Sequence, residues 1–318
     1  MEIYFFGTSS GVPTKERNVS GISLIESQGG AWYLIDCGEG TQHQVLRSSM
    51  SLASLKAVFI THLHGDHCYG LPGLLASAGL SGRTDPLVLV GSDRLKDWLE
   101  LTKTVSELHL PYELQYISLD KIQDYRIGQF NVSHVELSHR IASVGYVFSE
   151  AEANVSLDTL KLQDSGIPQG PLWGQIQSGK DVEFQGAIYK SADYIMPEGK
   201  KKKIIICGDN DSPDLLEAVG FECDILVHEG TYTKDMEEKA KTVGHSYAGL
   251  VANFAERNKI RNLILTHFSA RYQASDNGVD GMVALQNEAE NEYSGNLFIA
   301  KDFDRFRLPK SGNLERLE

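Results

Sequence analysis

The chain has little of what membrane, secreted or serine-nucleophile proteins need. No stretch reaches the roughly 18 to 20 apolar residues of a membrane span, so no partnership with a bilayer is expected. The opening residues MEIYFFGTSSG carry neither a basic leader nor a long apolar segment; they read as a first strand, and a cytoplasmic location is expected. Cysteine is scarce. Cys37, Cys68, Cys207 and Cys223 form no CxxC pair and are too few for a disulfide framework, so they are expected to be reduced and structural. No GxSxG elbow is present to present a serine nucleophile. Positive charge is in deficit as well: 30 Lys and Arg stand against 43 Asp and Glu, a formal net charge of −13. Affinity for nucleic acid through general phosphate neutralisation is thereby disfavoured. Divalent cations at one point would offset this locally, and Lys200 to Lys203 form a basic run.

What is present is an ordinary globular composition, 41% hydrophobic and 23% charged over 318 residues, enough for one core with an insertion. Apolar, β-branched runs alternate with helical stretches. EIYFF, ISLIE and WYLID read as strands, followed by a glycine turn into a helix and by the strand LKAVFI. GLPGLLASAGL and DRLKDWLELTKTV read as helices around the strand PLVLVG, and LQYISL and FNVSHVEL as later strands. In the second half KKIIICGD, DILVHEGT and NLILTHF are strands that each end in polar residues. This rhythm implies sheets packed between outer helices. Between Ala151 and Lys203 it lapses into Gly and Pro punctuation, yet Leu172, Trp173, Ile176, Phe184, Ile188 and Tyr189 argue for an ordered insertion rather than a disordered linker.

The chemistry concentrates in HLHGDH. His62, His64, Asp66 and His67 follow a strand directly, and three imidazoles beside a carboxylate would repel or desolvate one another without a cation. Histidines at alternate positions of an extended segment point one way, so His62 and His64 can hold one ion while Asp66 and His67 turn to another. Further ligands must come from other strand ends: His139, Asp209 and His267 are the candidates, with His134 a weaker competitor for His139 because it lies inside its strand. His43, His109, His134 and His228 are otherwise expected to be surface or satisfied core residues.

THLHGDH, CGD and LTHF in that order resemble the metallo-β-lactamase superfamily. FFGTSSGVPTKERN, DCGEGTQHQ, HGDHCYGLPGLL, SHRIASVGY, GIPQGPLWG, HEGTY, GHS and HFSARY resemble, more narrowly, the tRNA 3′-processing endonucleases of the RNase Z family. The resemblance implies an αββα sandwich over residues 1–318, with residues 151–203 as an inserted, protruding arm that grips the tRNA elbow. It implies a homodimer acting on precursor tRNA. Two zinc ions are implied, with manganese as the alternative: one held by His62, His64 and His139, the other by Asp66, His67 and His267, with Asp209 bridging them. Asp66 counts among the catalytic residues too, beside His245 as general acid and Glu229 as the carboxylate that orients it.

Two such cations would activate a hydroxide for in-line attack on the phosphodiester. A carboxylate bonded to imidazole raises its pKa and favours the protonated form that donation to a leaving ribose oxygen requires. Lys15, Arg17 and Arg271 lie in loops beside the motifs and are candidates for holding phosphate. Asn210 and Tyr247 stand where the family usually has threonine, which puts in question the hydrogen bonds behind the ligands. The competing readings are a small-molecule hydrolase or phosphodiesterase of the same fold, which has no use for an arm, and a non-catalytic RNA-binding relative.

Overall fold

Glu2–Gly7 pairs antiparallel with Gly21–Ile25, and that strand with Trp32–Ile35. Leu55–Phe59, Leu87–Gly91 and Leu114–Ser118 then add in parallel, each after a connection that runs over the outer face. Arg305–Arg307 and Glu315–Leu317 return from the far end of the chain to complete an eight-stranded sheet. The computed structural model from which this architecture is taken describes residues 1–27, 30–151, 155–197, 200–272 and 281–317.

A second sheet of seven strands runs Asn296–Ile299, Asn262–Thr266, Ile225–Glu229, Lys203–Cys207, Ser143–Glu150, Phe130–Leu137, Tyr125–Ile127. Its first four strands are parallel and the rest antiparallel. Side chains alternate between faces along a strand. Ile204 and Ile206 therefore enter the core between the sheets with Phe5, Tyr33, Phe59, Tyr146 and Phe148, whereas Ile205 and Cys207 face the helices Ala248–Arg257 and Met282–Glu292. Helices Thr41–Leu46, Leu71–Leu80 and Asp93–Val105 cover the other sheet through Val45, Leu74, Leu75, Leu95 and Leu99. The result is the expected αββα sandwich. All four cysteines are buried and free.

The insertion interrupts a hairpin, because Ser143–Glu150 and Lys203–Cys207 are neighbours with Ser149 opposite Lys203. Val155–Leu157 and Ile195–Pro197 pair as its stem, Thr159–Asp164 and Pro171–Gln177 are helices, and Val182–Phe184 turns back onto Ala187–Tyr189. It has a small core of its own: Leu162, Ile167, Trp173, Ile176, Val182 and Tyr194, with Trp173 Nε1 donating to Ile167 O at 2.9 Å. Residues 152–154 and 198–199 of the stretch lie outside the described residues. The lysine run is largely occupied: Lys200 pairs with Glu222, Lys202 with Asp224, and Lys201 and Lys203 donate to Ala151 O and Phe221 O. It ties the insertion's base to the body.

Candidate metal centre

Each candidate ligand leaves the carboxyl end of a strand, where the chain exits the sheet and its side chains are free of pairing. His62, His64, Asp66 and His67 follow Leu55–Phe59; His139 follows Phe130–Leu137, Asp209 follows Lys203–Cys207, and His267 follows Asn262–Thr266. The structure brings them together in two groups, His62, His64, His139 and Asp209, and Asp66, His67 and His267, each with ligand atoms within 4.8 Å of one another. Asp209 faces both. Its Oδ2 lies 3.5 Å from His62 Nε2 and 3.7 Å from His139 Nε2, and its Oδ1 lies 3.4 Å from His67 Nε2 and 3.3 Å from His267 Nε2. His134 instead stays in its strand, its Nδ1 3.2 Å from Ile122 O.

Whether these residues fit a divalent cation can be judged from their free atoms. His62 Nε2 is buried with no hydrogen-bond partner among the described residues. His64 Nδ1 and His139 Nε2 approach to 3.0 Å, and His67 Nε2 and His267 Nε2 to 3.2 Å, distances at which two lone pairs repel unless a proton or cation lies between them. Neutral imidazoles with carboxylate oxygens are the donor set that zinc and its neighbours take. The residues fit. Charge shows the same demand: His67 is buried, which opposes protonation, but Asp209, Asp36 and Asp66 push its pKa well above the ordinary value.

The far sides of the His62, His67, His139 and His267 rings are fixed. His67 Nδ1 donates to Asp36 Oδ2 at 2.7 Å, and the same oxygen accepts from Thr61 Oγ1 at 2.9 Å, which in turn lies 3.0 Å from His62 Nδ1. Asp36 Oδ1 takes the Thr61 N–H at 2.8 Å. His139 Nδ1 donates to Gly244 O at 2.6 Å, and His267 Nδ1 contacts Thr231 Oγ1 at 3.1 Å. Asp36 and His267 both hold the left-handed backbone region, φ 60° and 59°, a conformation that non-glycine residues adopt at a cost. Asp66 Oδ2 accepts the Gly11 N–H at 2.7 Å, which brings the first loop to the centre.

Glu229 is buried and saturated. Its Oε1 accepts from His245 Nδ1 and from Asn210 N, both at 2.9 Å, and its Oε2 from Ser246 N at 3.2 Å and from the Thr231 hydroxyl. Burial works against a charged His245, yet the Glu229 carboxylate, by charge and hydrogen bond, and Asp209, 3.8 Å away, raise its pKa to about 9. Asn210 proves to be a junction. Its side chain accepts from Ser138 N, beside His139, and donates to His228 Nε2, while its carbonyl accepts from Ser246 Oγ, beside His245. The hydrogen bonds behind the ligands are thus supplied at this position by asparagine. Tyr247 contributes its backbone at the start of helix Ala248–Arg257, its ring half-buried on the outer core.

The phosphate candidates divide. Lys15 and Arg271 are exposed, Arg271 Nη1 meeting Met236 Sδ at 3.0 Å. Arg17 corrects the expectation: it is 7% exposed, donates to Thr8 Oγ1 at 2.6 Å and Ala300 O at 2.8 Å, and stacks over Phe268, so it fastens the first loop to the last strands. Sequence reasoning missed Asp36, Thr61 and Thr231. The signal was available for Asp36, which ends the strand WYLID as Asp209 ends its own; hydroxyls carry no such mark.

Residues 1–165 match a family model described as Anti-Pycsar protein Apyc1. That half includes His62 to His139 and stops before Asp209, Glu229, His245 and His267. Over its full length the chain is 48% identical to ribonuclease Z of Pseudomonas putida (strain GB-1), covering 99% of both chains. It is 43% identical to ribonuclease Z of Marinobacter nauticus (strain ATCC 700491 / DSM 11845 / VT8), covering 100% of this chain and 99% of the other. The crystal structure of human tRNase Z, short form, superimposes with a TM-score of 0.66 at 27% identity, over 97% of this chain and 100% of that one.

Proposed function

The chain belongs to the ribonuclease Z family, its first half belonging also to the family described as Anti-Pycsar protein Apyc1, and on that premise we propose that it cleaves the 3′ trailer from precursor tRNA at this centre. The observation that carries the proposal is Asp209, one carboxylate oxygen turned to each of two His-rich groups. His62, His64 and His139 would hold one divalent cation, zinc or manganese, and Asp66, His67 and His267 a second, with Asp209 shared. Two such ions supply Lewis acidity toward the phosphate and toward an attacking water. Among the chain's own groups, His245 holds a proton at Nε2 and delivers it to the departing ribose 3′-oxygen. Glu229, on His245 Nδ1, fixes the tautomer and keeps the ring charged until then. Asp66, its carboxylate held well below the usual range because His67 and His267 outweigh its burial, stays ionised and can accept a hydrogen bond from the attacking water, orienting it.

Lys15 and Arg271 are assigned to the phosphates flanking the cut, and residues 151–203 to the tRNA body. An acidic chain that reads folded RNA by shape needs little general phosphate attraction. A homodimer, drawn from the family, and a cytoplasmic location are part of the same proposal. The test is incubation with a trailer-bearing precursor tRNA, mapping product ends beside an Asp209→Ala control, and repetition with residues 155–197 replaced by a short Gly-Ser linker across the hairpin. The expected result is a single endonucleolytic cut at the trailer boundary, lost in Asp209→Ala. The linker variant should lose tRNA cleavage but keep hydrolysis of a small aryl phosphodiester. Equal loss of both activities there would contradict the role given to the arm.

A further inference from the structure

Tyr69 is a large aromatic residue left 62% exposed immediately beside the candidate ligands. Its N–H donates to Gly65 O and closes the turn Gly65–Cys68 that carries Asp66 and His67. One edge of its ring lies over Gly65: a β-carbon there would stand 2.3 Å from Tyr69 Cε2, so glycine at that position makes room for the ring. The ring also stacks on Trp98 of helix Asp93–Val105, centroids 6.4 Å apart and planes 26° from parallel. Isolated exposed aromatics are common. This one is braced from two elements at the rim of a metal centre.

We propose that the Tyr69–Trp98 pair stacks the base of the first trailer nucleotide, the one that leaves with the cleaved phosphate. This rests on the reading of the centre as a tRNA 3′-endonuclease. The side is chosen by the row of rings. His64 lies next to Gly65 and contacts His139 at 4.9 Å between centroids, and His139 contacts His245 at 5.0 Å. The row runs across the sheet: Tyr69 leans on Trp98 of the helix after Leu87–Gly91, on one side of Leu55–Phe59, whereas His245 contacts His267 at 5.4 Å, whose neighbour Phe268 bonds Thr8 just past Glu2–Gly7, on the other side. A dinucleotide laid along it with its departing 3′-oxygen at His245 carries its next base toward Tyr69. Stacking suits both partners, since every base has a π face and trailers differ in sequence, and it needs no cation from a chain whose formal net charge is −13.

The experiment uses precursor tRNA whose first trailer nucleotide is either normal or abasic, with the metal-loaded wild type, Tyr69→Phe and Tyr69→Leu. Leucine keeps the packing over Gly65 and removes the π face. The wild type and Tyr69→Phe are expected to lose about tenfold in kcat/KM on the abasic substrate, within the range a base stack contributes. Tyr69→Leu should cleave both substrates at the rate at which wild type cleaves the abasic one. Trp98→Leu, which removes the brace from a separate helix, should shrink the abasic penalty as well. An undiminished penalty in Tyr69→Leu, or no penalty in wild type, overturns the platform while leaving the endonuclease assignment standing. Failure of wild type to cut either tRNA overturns the assignment and the platform with it.

Discussion

Asp36→Asn tests how far the centre depends on what stands behind its ligands. The native carboxylate accepts three donors: Thr61 N at 2.8 Å on Oδ1, and Thr61 Oγ1 at 2.9 Å and His67 Nδ1 at 2.7 Å on Oδ2. Asparagine offers one oxygen and one NH2. The better rotamer turns its oxygen to His67 and Thr61 Oγ1 and sets the NH2 against the Thr61 N–H, leaving a buried donor without an acceptor, which costs ~1–3 kcal/mol. The surviving bond to His67 also loses its anionic acceptor, so the imidazole becomes a poorer donor of electrons to a cation. Outer partners of this kind are worth about 10- to 100-fold in metal affinity, equivalent to ~1.4–2.8 kcal/mol. The assay is competition for zinc against a chromophoric chelator, with the melting temperature of metal-free protein measured alongside and the exposed His43→Ala variant as control. We expect a 10- to 100-fold weaker zinc affinity for Asp36→Asn and none of that loss for His43→Ala. A zinc affinity within twofold of wild type would refute the reasoning, because it would mean that the Asp36–His67 bond does not reach the metal side of the ring.

Metal uptake should release protons. In the metal-free centre burial opposes a charged His67, but Asp209, Asp36 and Asp66 raise its pKa well above the ordinary 6.5, so near neutral pH it holds a proton that a metal must displace. Calorimetric zinc titrations in buffers of different ionisation enthalpy are expected to show at least about one proton released at pH 7, with affinity falling as pH falls; a buffer-independent enthalpy would contradict this. Arg17→Ala should act on stability rather than on RNA. Two buried hydrogen bonds and the stack over Phe268 disappear, about 2–4 kcal/mol in all, so denaturant midpoints should drop while KM for precursor tRNA in the folded fraction stays unchanged.

Much of this protein is local information. The unbroken apolar run of KIIIC reads as a strand, and the structure buries both its faces, Ile204 and Ile206 on one and Ile205 and Cys207 on the other. HLHGDH needs no fold to be recognised as a cluster of ligands, since its members are adjacent in sequence. The strand-end rule then points to His139, Asp209 and His267, because residues just past a strand leave the sheet and can turn toward a common point. Arg17 shows the limit of that reasoning. Its neighbours Thr14, Lys15 and Glu16 are exposed loop residues, and nothing within the loop says that the guanidinium folds under to reach Ala300, 283 residues away. The lysine run Lys200 to Lys203 is equally opaque, for its acidic partners Glu222 and Asp224 arrive from the next strand connection.

The sequence by itself determined the strands, the insertion, the ligand types and the kind of chemistry they can perform, because each is set by neighbours a few positions away. Only the tertiary structure decided that Asp36 and Thr231 stand behind the rings, and that Asn210 joins the His139 and His245 loops. Those facts depend on where separate strand ends meet in space, and a hydrogen bond about 3 Å long leaves no trace in the spacing of residues that lie tens or hundreds of positions apart.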